Sequence, residues 1–135
     1  MNWKDRFSGR LLSADEAVRQ IRSGETISIA HVGSEPYALV DALARNADAL
    51  TDVDMHFMLS LRKEEPHIAK GMEKHLRFFG YFLGGSTRGA VAESRAEYLP
   101  CFLSPHAQRT WRCGCASDFR FRAGCAWLLL HGAGD

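Results

Sequence analysis

The residues best suited to chemistry lie in one short stretch, Phe78-Phe79-Gly80-Tyr81-Phe82-Leu83-Gly84-Gly85-Ser86-Thr87-Arg88. An aromatic, apolar run ends in two glycines, and a Ser-Thr-Arg step then opens a helical pattern. That order reads as strand, tight turn and helix. Glycine lets the backbone turn sharply and leaves no side chain between its amides and a ligand. Amides at a helix start, with Arg88 beside them, suit a carboxylate, a thioester oxygen or a phosphate. A Gly-Gly turn also serves geometry alone, so the local pattern leaves both readings open.

The elements that must position this turn follow from the rest of the chain. Ser13 followed by Glu16 is a capping-box pattern; Ala17, Val18 and Ile21 share one face of the helix it opens, and Gly24 is expected to close it. Residues 26–32 are β-branched and apolar and read as a first strand, residues 53–59 as a second, and residues 78–83 as a third. Between the first two, Gly33-Ser34-Glu35-Pro36 turns into a helix that buries Leu39, Val40 and Leu43, with Pro36 in its first turn. Residues 62–75 are rich in Lys, Glu and His and read as a solvated loop with a short helix. The helix after Ser86 turns Ala90 and Val91 inward, and residues 98–103 form a fourth extended piece. Alternating strands and helices predict an α/β fold, a largely parallel sheet flanked by helices.

Ligands of such sheets sit at the carboxyl ends of the strands. Three segments place glycine or polar residues there: residues 33–36, Ser60, and residues 84–88. His31 and His56 fall inside expected strands and read as hydrogen-bonded sheet histidines. Glu35 is expected to cap its helix, since acidic groups favour helix starts, with substrate contact as the alternative. Cys101, beside Pro100, reads as a small buried side chain.

With 135 residues the chain supports one domain and a modest core. Seventeen Lys and Arg balance sixteen Asp and Glu, a net charge of +1, which gives no argument for nucleic acid or anionic membranes. The first residues lack the apolar core of a signal peptide, and no apolar run reaches the roughly 20 residues of a membrane helix. The expectation is a cytoplasmic protein without paired disulfides. Cys113-Gly114-Cys115 is one residue short of a zinc knuckle, so no metal is expected despite His106, Cys125 and His131 nearby.

Residues 1 to about 104 resemble the N-terminal part of the acetyl-CoA hydrolase/transferase family, most closely its 4-hydroxybutyrate CoA-transferase branch. The resemblance rests on Trp3-Lys4, Ser13-Ala14-Asp15-Glu16-Ala17-Val18, Ile21-Arg22-Ser23-Gly24, and Gly33-Ser34-Glu35-Pro36 with Leu39-Val40-Asp41-Ala42-Leu43. It continues through Gly84-Gly85-Ser86-Thr87-Arg88 and Ala96-Glu97-Tyr98-Leu99-Pro100-Cys101-Phe102. It implies transfer of CoA between an acyl-CoA and a small carboxylic acid through a glutamyl-CoA intermediate, with coenzyme A as substrate and no bound cofactor. The nucleophilic glutamate of the family lies in its C-terminal half, so no acidic residue here is expected to be catalytic. The resemblance makes Gly33, Glu35, Pro36, Gly84, Gly85, Ser86, Thr87 and Arg88 walls of the carboxylate pocket. Ser60 joins them from its strand-end position. The implied partners are the two substrates and a separate C-terminal half or a second copy, with no nucleic acid and no membrane.

After Pro105 the composition changes. The last 30 residues hold three of the four cysteines and two of the three tryptophans, with little periodicity. Codons can be chosen for residues 125–131 so that the next reading frame gives Ala-His-Gly-Tyr-Cys-Ser-Met, which resembles the family's continuation. Residues 105–135 are therefore expected to be an atypical tail produced by a frameshift. Other classes stay open at this stage: a non-catalytic α/β remnant or binding module, a sugar-phosphate isomerase-like domain, and a zinc or nucleic-acid module built on the tail.

Overall fold

The computed structural model describes residues 12–102. Four strands, β1 (Thr26–Ser28), β2 (Val53–Phe57), β3 (Leu76–Gly80) and β4 (Ala96–Tyr98), form one sheet in the order β1-β2-β3-β4. Every pair is parallel, with Ile27 opposite Met55, Met55 opposite Phe78, and Phe78 opposite Ala96. The helices are α1 (Ala14–Val18), α2 (Tyr37–Arg45) and α3 (Gly85–Ala92). The expected α/β fold with a parallel sheet is the fold observed.

Strand periodicity decides where the core sits. In β2, Val53, Met55 and Phe57 alternate with half-exposed Asp54 and His56; in β3, Leu76, Phe78 and Gly80 alternate with Arg77 and Phe79. The buried row joins Ile27, Ala42, Leu43, Ala47, Ile68 and Ala90 in one cluster, with Ile21, Leu39 and Val91 half-buried against it. On the opposite face Arg77 Nε donates to Asp54 Oδ1 at 2.7 Å, and His56 stacks on Phe79 with ring centroids 5.0 Å apart. His56 Nδ1 lies 2.7 Å from the Tyr81 hydroxyl, so it is the sheet histidine the sequence suggests.

The capping box at Ser13 and Glu16 is present in both directions. Helix α1 nevertheless ends at Val18, and Gly24, with φ +78°, serves a separate turn at residues 23–24 instead of closing the helix. Asp15 holds α1 on α2, accepting from Arg45 Nη2 at 3.1 Å and Asn46 Nδ2 at 2.8 Å.

Strand ends differ from the sequence reading by a few residues. β1 stops at Ser28, which leaves His31 in the loop, and β2 stops at Phe57. β3 begins earlier than expected and ends at Gly80, because the chain turns away at Tyr81 and Phe82, the latter 57% exposed. β4 covers residues 96–98, not 98–103. Cys101 is half-buried with a free thiol. The expectations for the tail and its cysteines fall outside the described residues.

Met55 is completely buried at the centre of the sheet. Met55→Ala should lower stability by about 2–5 kcal/mol through lost burial and the cavity left behind. Ser13→Ala, which removes only a cap, should cost about 1 kcal/mol. Urea unfolding of both variants measures the contrast.

Candidate functional site

Hydrogen bonds continue the ladder past the ends of the strands and converge on the segment that leaves β2. From the β1 side, the Ile29 amide donates to His56 O at 3.0 Å and the Val32 amide to Leu59 O at 2.9 Å. From the β3 side, the Tyr81 amide donates to Phe57 O at 2.9 Å and the Phe82 amide to Met58 O at 3.1 Å. Ser60 follows directly, between the loop after β1 and the turn after β3. Gly84 packs so closely that a Cβ there would lie 3.1 Å from Leu59 Cδ1 and 3.5 Å from Ser60 O. A larger residue there would need the Leu59 side chain to give way by a few tenths of an ångström.

The loop after β1 is bent sharply. Val32 opens a short 3-10 turn, Val32–Ser34, with φ +57°, a conformation strongly disfavoured for a β-branched residue. Such strain costs on the order of 1–3 kcal/mol and collects at functional sites. Its effect is to turn Glu35 inward. Glu35 does not cap α2: Pro36 is the N-cap and no side chain caps that helix start. Instead Glu35 is buried and its Oε2 accepts the Ser60 hydroxyl at 2.7 Å. Both ends of this loop are held from the segment after β2, the Val32 amide by Leu59 O and the Glu35 carboxylate by the Ser60 hydroxyl, rather than from the helix start.

The run at residues 62–75 holds what the sequence reading missed. It is not merely solvated: Glu65, His67 and Ile68 are buried around the 3-10 turn Pro66–Ile68. Glu65 Oε1 accepts from the Ser86 hydroxyl at 3.3 Å, at the first turn of α3. His67 packs between Phe57 and Phe78, with ring centroids 6.2 and 5.5 Å away, and its Nδ1 lies 3.6 Å from Glu65 Oε2. Arg62 closes the rim: its amide donates to Ser60 Oγ at 3.0 Å and its Nη1 to Asp41 Oδ1 at 2.7 Å. Its guanidinium also lies 4.9 Å from the centre of the Tyr37 ring. The available signal was Pro66 and Ile68 inside an otherwise polar run, the marks of an anchored turn.

The expected site residues divide clearly. Glu35, Ser60, Gly84 and Ser86 are drawn into one cluster by the contacts above. Thr87 is buried and its hydroxyl donates to Gly84 O at 3.3 Å, tying the helix start to its turn. Pro36 sets the entry to α2, while Gly33 and Gly85 are exposed. Arg88 is exposed, and its Nε donates to Leu83 O at 3.3 Å.

Burial dominates the electrostatics. Removal from water raises the pKa of Glu35 and of Glu65, partly offset for each by the Ser60 hydroxyl and the charge of Arg62. Nearby like charge raises both further, Glu65 and Asp41 acting on Glu35 and Asp41 on Glu65. His67 is pushed down to about 3 by burial, then by the charge of Arg62. Glu35 Oε1, Glu65 Oε2 and both His67 ring nitrogens lack hydrogen-bond partners. Buried, incompletely satisfied ionisable groups at a strand-end edge make this the candidate functional site.

His67 gives this a measurable consequence. Its depressed pKa contributes stability that is fully present above 6.5 and is lost as pH falls towards about 3. His67→Leu should therefore be near-neutral at neutral pH and should keep several kcal/mol more of its stability than the parent on acidification, at about 1.36 kcal/mol per pKa unit. Urea unfolding across that pH range, with both proteins compared at each pH, tests the sign. Equal losses in the two would refute it.

Comparison with known proteins adds the family. The chain is 36% identical over 103 residues to the 4-hydroxybutyrate coenzyme A transferase of Clostridium kluyveri, covering 76% of this chain and 24% of that one. It is 25% identical over 100 residues to the butyryl-CoA:acetate CoA-transferase of Anaerostipes caccae, covering 74% and 22% respectively. The chain thus spans about a quarter of the length of these relatives. The crystal structure of RipA from Yersinia pestis superposes with a TM-score of 0.67 at 20% identity, covering 78% of this chain and 27% of that one. A point mutant of RipA gives 0.70 at 19% identity, over 80% and 27%. At that identity the likeness speaks for the fold. The model of the acetyl-CoA hydrolase/transferase N-terminal domain matches residues 1–119, and the chain belongs to that family.

Proposed function

We propose that residues 12–102 form the carboxylate-side wall of a CoA-transferase that moves CoA between an acyl-CoA and a small carboxylic acid of the 4-hydroxybutyrate or acetate type. The observation that carries this reading is the convergence of Glu35, Ser60, Glu65 and Ser86 at the strand-end edge of a chain from this family. The names of its relatives supply the reaction class. Ser60 and the α3 start, from Gly84 to Arg88, would hold the acid's oxygens, with Gly33, Glu35 and Pro36 shaping the opposite wall. We assign the protein to the cytoplasm, with coenzyme A as substrate and not as a resident cofactor.

The reaction itself needs a glutamate nucleophile. Its carboxylate attacks the thioester carbonyl and expels CoA thiolate; the thiolate then attacks the resulting anhydride, releases the first acid and leaves a glutamyl-CoA thioester. The second acid reverses these steps. Each addition builds negative charge on a carbonyl oxygen, which backbone amides are suited to stabilise. In our reading that nucleophile belongs to the larger part of the family sequence, supplied by a longer polypeptide or a partner. In the same reading residues 1–104 are the domain proper and residues 105–135 an atypical tail, with a frameshift between about residues 104 and 118.

Two kinetic outcomes are expected. The 135-residue chain alone should show no transfer of CoA from an acyl-CoA to acetate or to a hydroxy acid, because the nucleophile and its proximity to the thioester are missing. A protein with the shifted frame restored and its downstream sequence translated should recover transfer. In that protein Arg88→Ala should reduce kcat/KM for the acid about tenfold, the order expected for one charge-assisted hydrogen bond. Steady-state kinetics with the acid varied decides this. Unchanged constants would make Arg88 a surface residue of the turn, and an uninterrupted frame in the coding DNA would remove the frameshift.

A further inference from the structure

Ser60 has one hydroxyl hydrogen and two carboxyl neighbours. The hydrogen goes to Glu35 Oε2 at 2.7 Å, and one lone pair already accepts the Arg62 amide at 3.0 Å. Glu65 is the second carboxyl that this hydroxyl affects, and its charge raises Glu35. One hydrogen cannot serve both carboxylates. If Glu65 is ionised, it faces a Ser60 oxygen with nothing to donate; if it is neutral, the repulsion is gone and its own O–H is a donor.

The surroundings do not neutralise a second charge. The Glu65 side chain is 1% exposed and its Oε2 has no partner. From the Pro66–Ile68 turn it meets His67, which burial keeps uncharged at neutral pH. From α3 it meets only the Ser86 hydroxyl. From α2 comes Asp41, a further negative group, which takes a hydrogen bond from the nearby cation, Arg62. Two buried carboxylates and Asp41 would share that one guanidinium.

We propose that Glu35 and Glu65, linked through Ser60, hold one shared proton above the ordinary carboxylate range, and that the neutral carboxyl donates a hydrogen bond to an anionic carboxylate oxygen bound at the start of α3. The second half rests on the reading of this edge as a carboxylate pocket; the first half does not. With the proton in place a bound carboxylate meets a donor. Without it, the same anion meets two like charges, so loss of the proton closes the site electrostatically.

The test uses the whole chain with carbon-13 at the glutamate carboxyl carbons. Glu35 and Glu65 resonances are assigned by their loss in Glu35→Gln and Glu65→Gln, or through their own backbone amides where a variant does not fold. In the parent the two should titrate as a coupled pair in two steps, the upper lying above every exposed glutamate. Either Gln substitution should shift the surviving carboxyl downward. If both carboxyls finish ionising with the exposed glutamates, the shared proton is refuted. Acetate is then added while the Ser86 and Thr87 amides are observed. Its apparent affinity should fall about tenfold per pH unit above the upper step, since only the protonated form is competent. An acetate response that ignores this step, or none at all, overturns the donor role. Neither readout uses CoA transfer, so a failed transferase assay and a failed proton pair are separate results.

Discussion

The arrangement depends on the backbone that leaves β2. Leu59 O takes a hydrogen bond from Val32, while Phe57 O and Met58 O take hydrogen bonds from Tyr81 and Phe82. The first strand's loop and the third strand's turn are thereby fastened to the same few residues from opposite sides. Ser60 is the next residue out, where the strand pattern has ended but both neighbours are still held. Its hydroxyl is fixed because the Arg62 backbone amide donates to it and Glu35 accepts from it. A parallel sheet makes this natural, since all strands end on one edge.

Positioning the groups costs the fold something. Val32 sits in a left-handed conformation that a β-branched residue avoids, and two carboxyls are taken out of water. These costs are met by the apolar core: Val53, Met55 and Phe57 beside Leu76 and Phe78, with Val40, Ala42 and Leu43 of α2 buried as well. The helices are short, and their stability comes from this packed face more than from their own length. Asp15, shared between Arg45 and Asn46, fixes α1 on α2 at the far side of the layer.

What the sequence made legible was whatever depends on near neighbours. Ser13 and Glu16 are three residues apart and form their capping box as read. Alternation in 53–57 and the glycine pair before Ser86 likewise gave a strand and a helix start. The strand ends were misjudged at Ile29 and at Tyr81, where apolar residues and single ladder hydrogen bonds continue after the regular strand has ended, because composition does not reveal where strand geometry stops. Glu35 was misassigned for a related reason: the preference of acids for helix starts is local, whereas the Val32 turn and the Ser60 partner are set by a strand 25 residues away. Glu65 and His67 were hidden inside a charged run, and only tertiary burial distinguishes them from Lys63 and Glu64, which are exposed.

The titration signs argue that this buried polar row is not there for stability. A carboxyl whose folded pKa is raised, as for Glu35 and Glu65, contributes stability below its ordinary range and loses it as pH rises through the folded value. His67, with its pKa lowered, contributes above 6.5 and loses as pH falls. The two sets therefore oppose each other, and between the ordinary carboxylate range and 6.5 neither the glutamates nor the histidine is in its most favourable state. Apolar residues of similar size would avoid both penalties. A fold that keeps Glu35, Glu65 and His67 at one strand-end edge, beside a strained loop and a glycine turn, accepts lower stability there. That combination is expected where charge and proton position matter to a bound ligand.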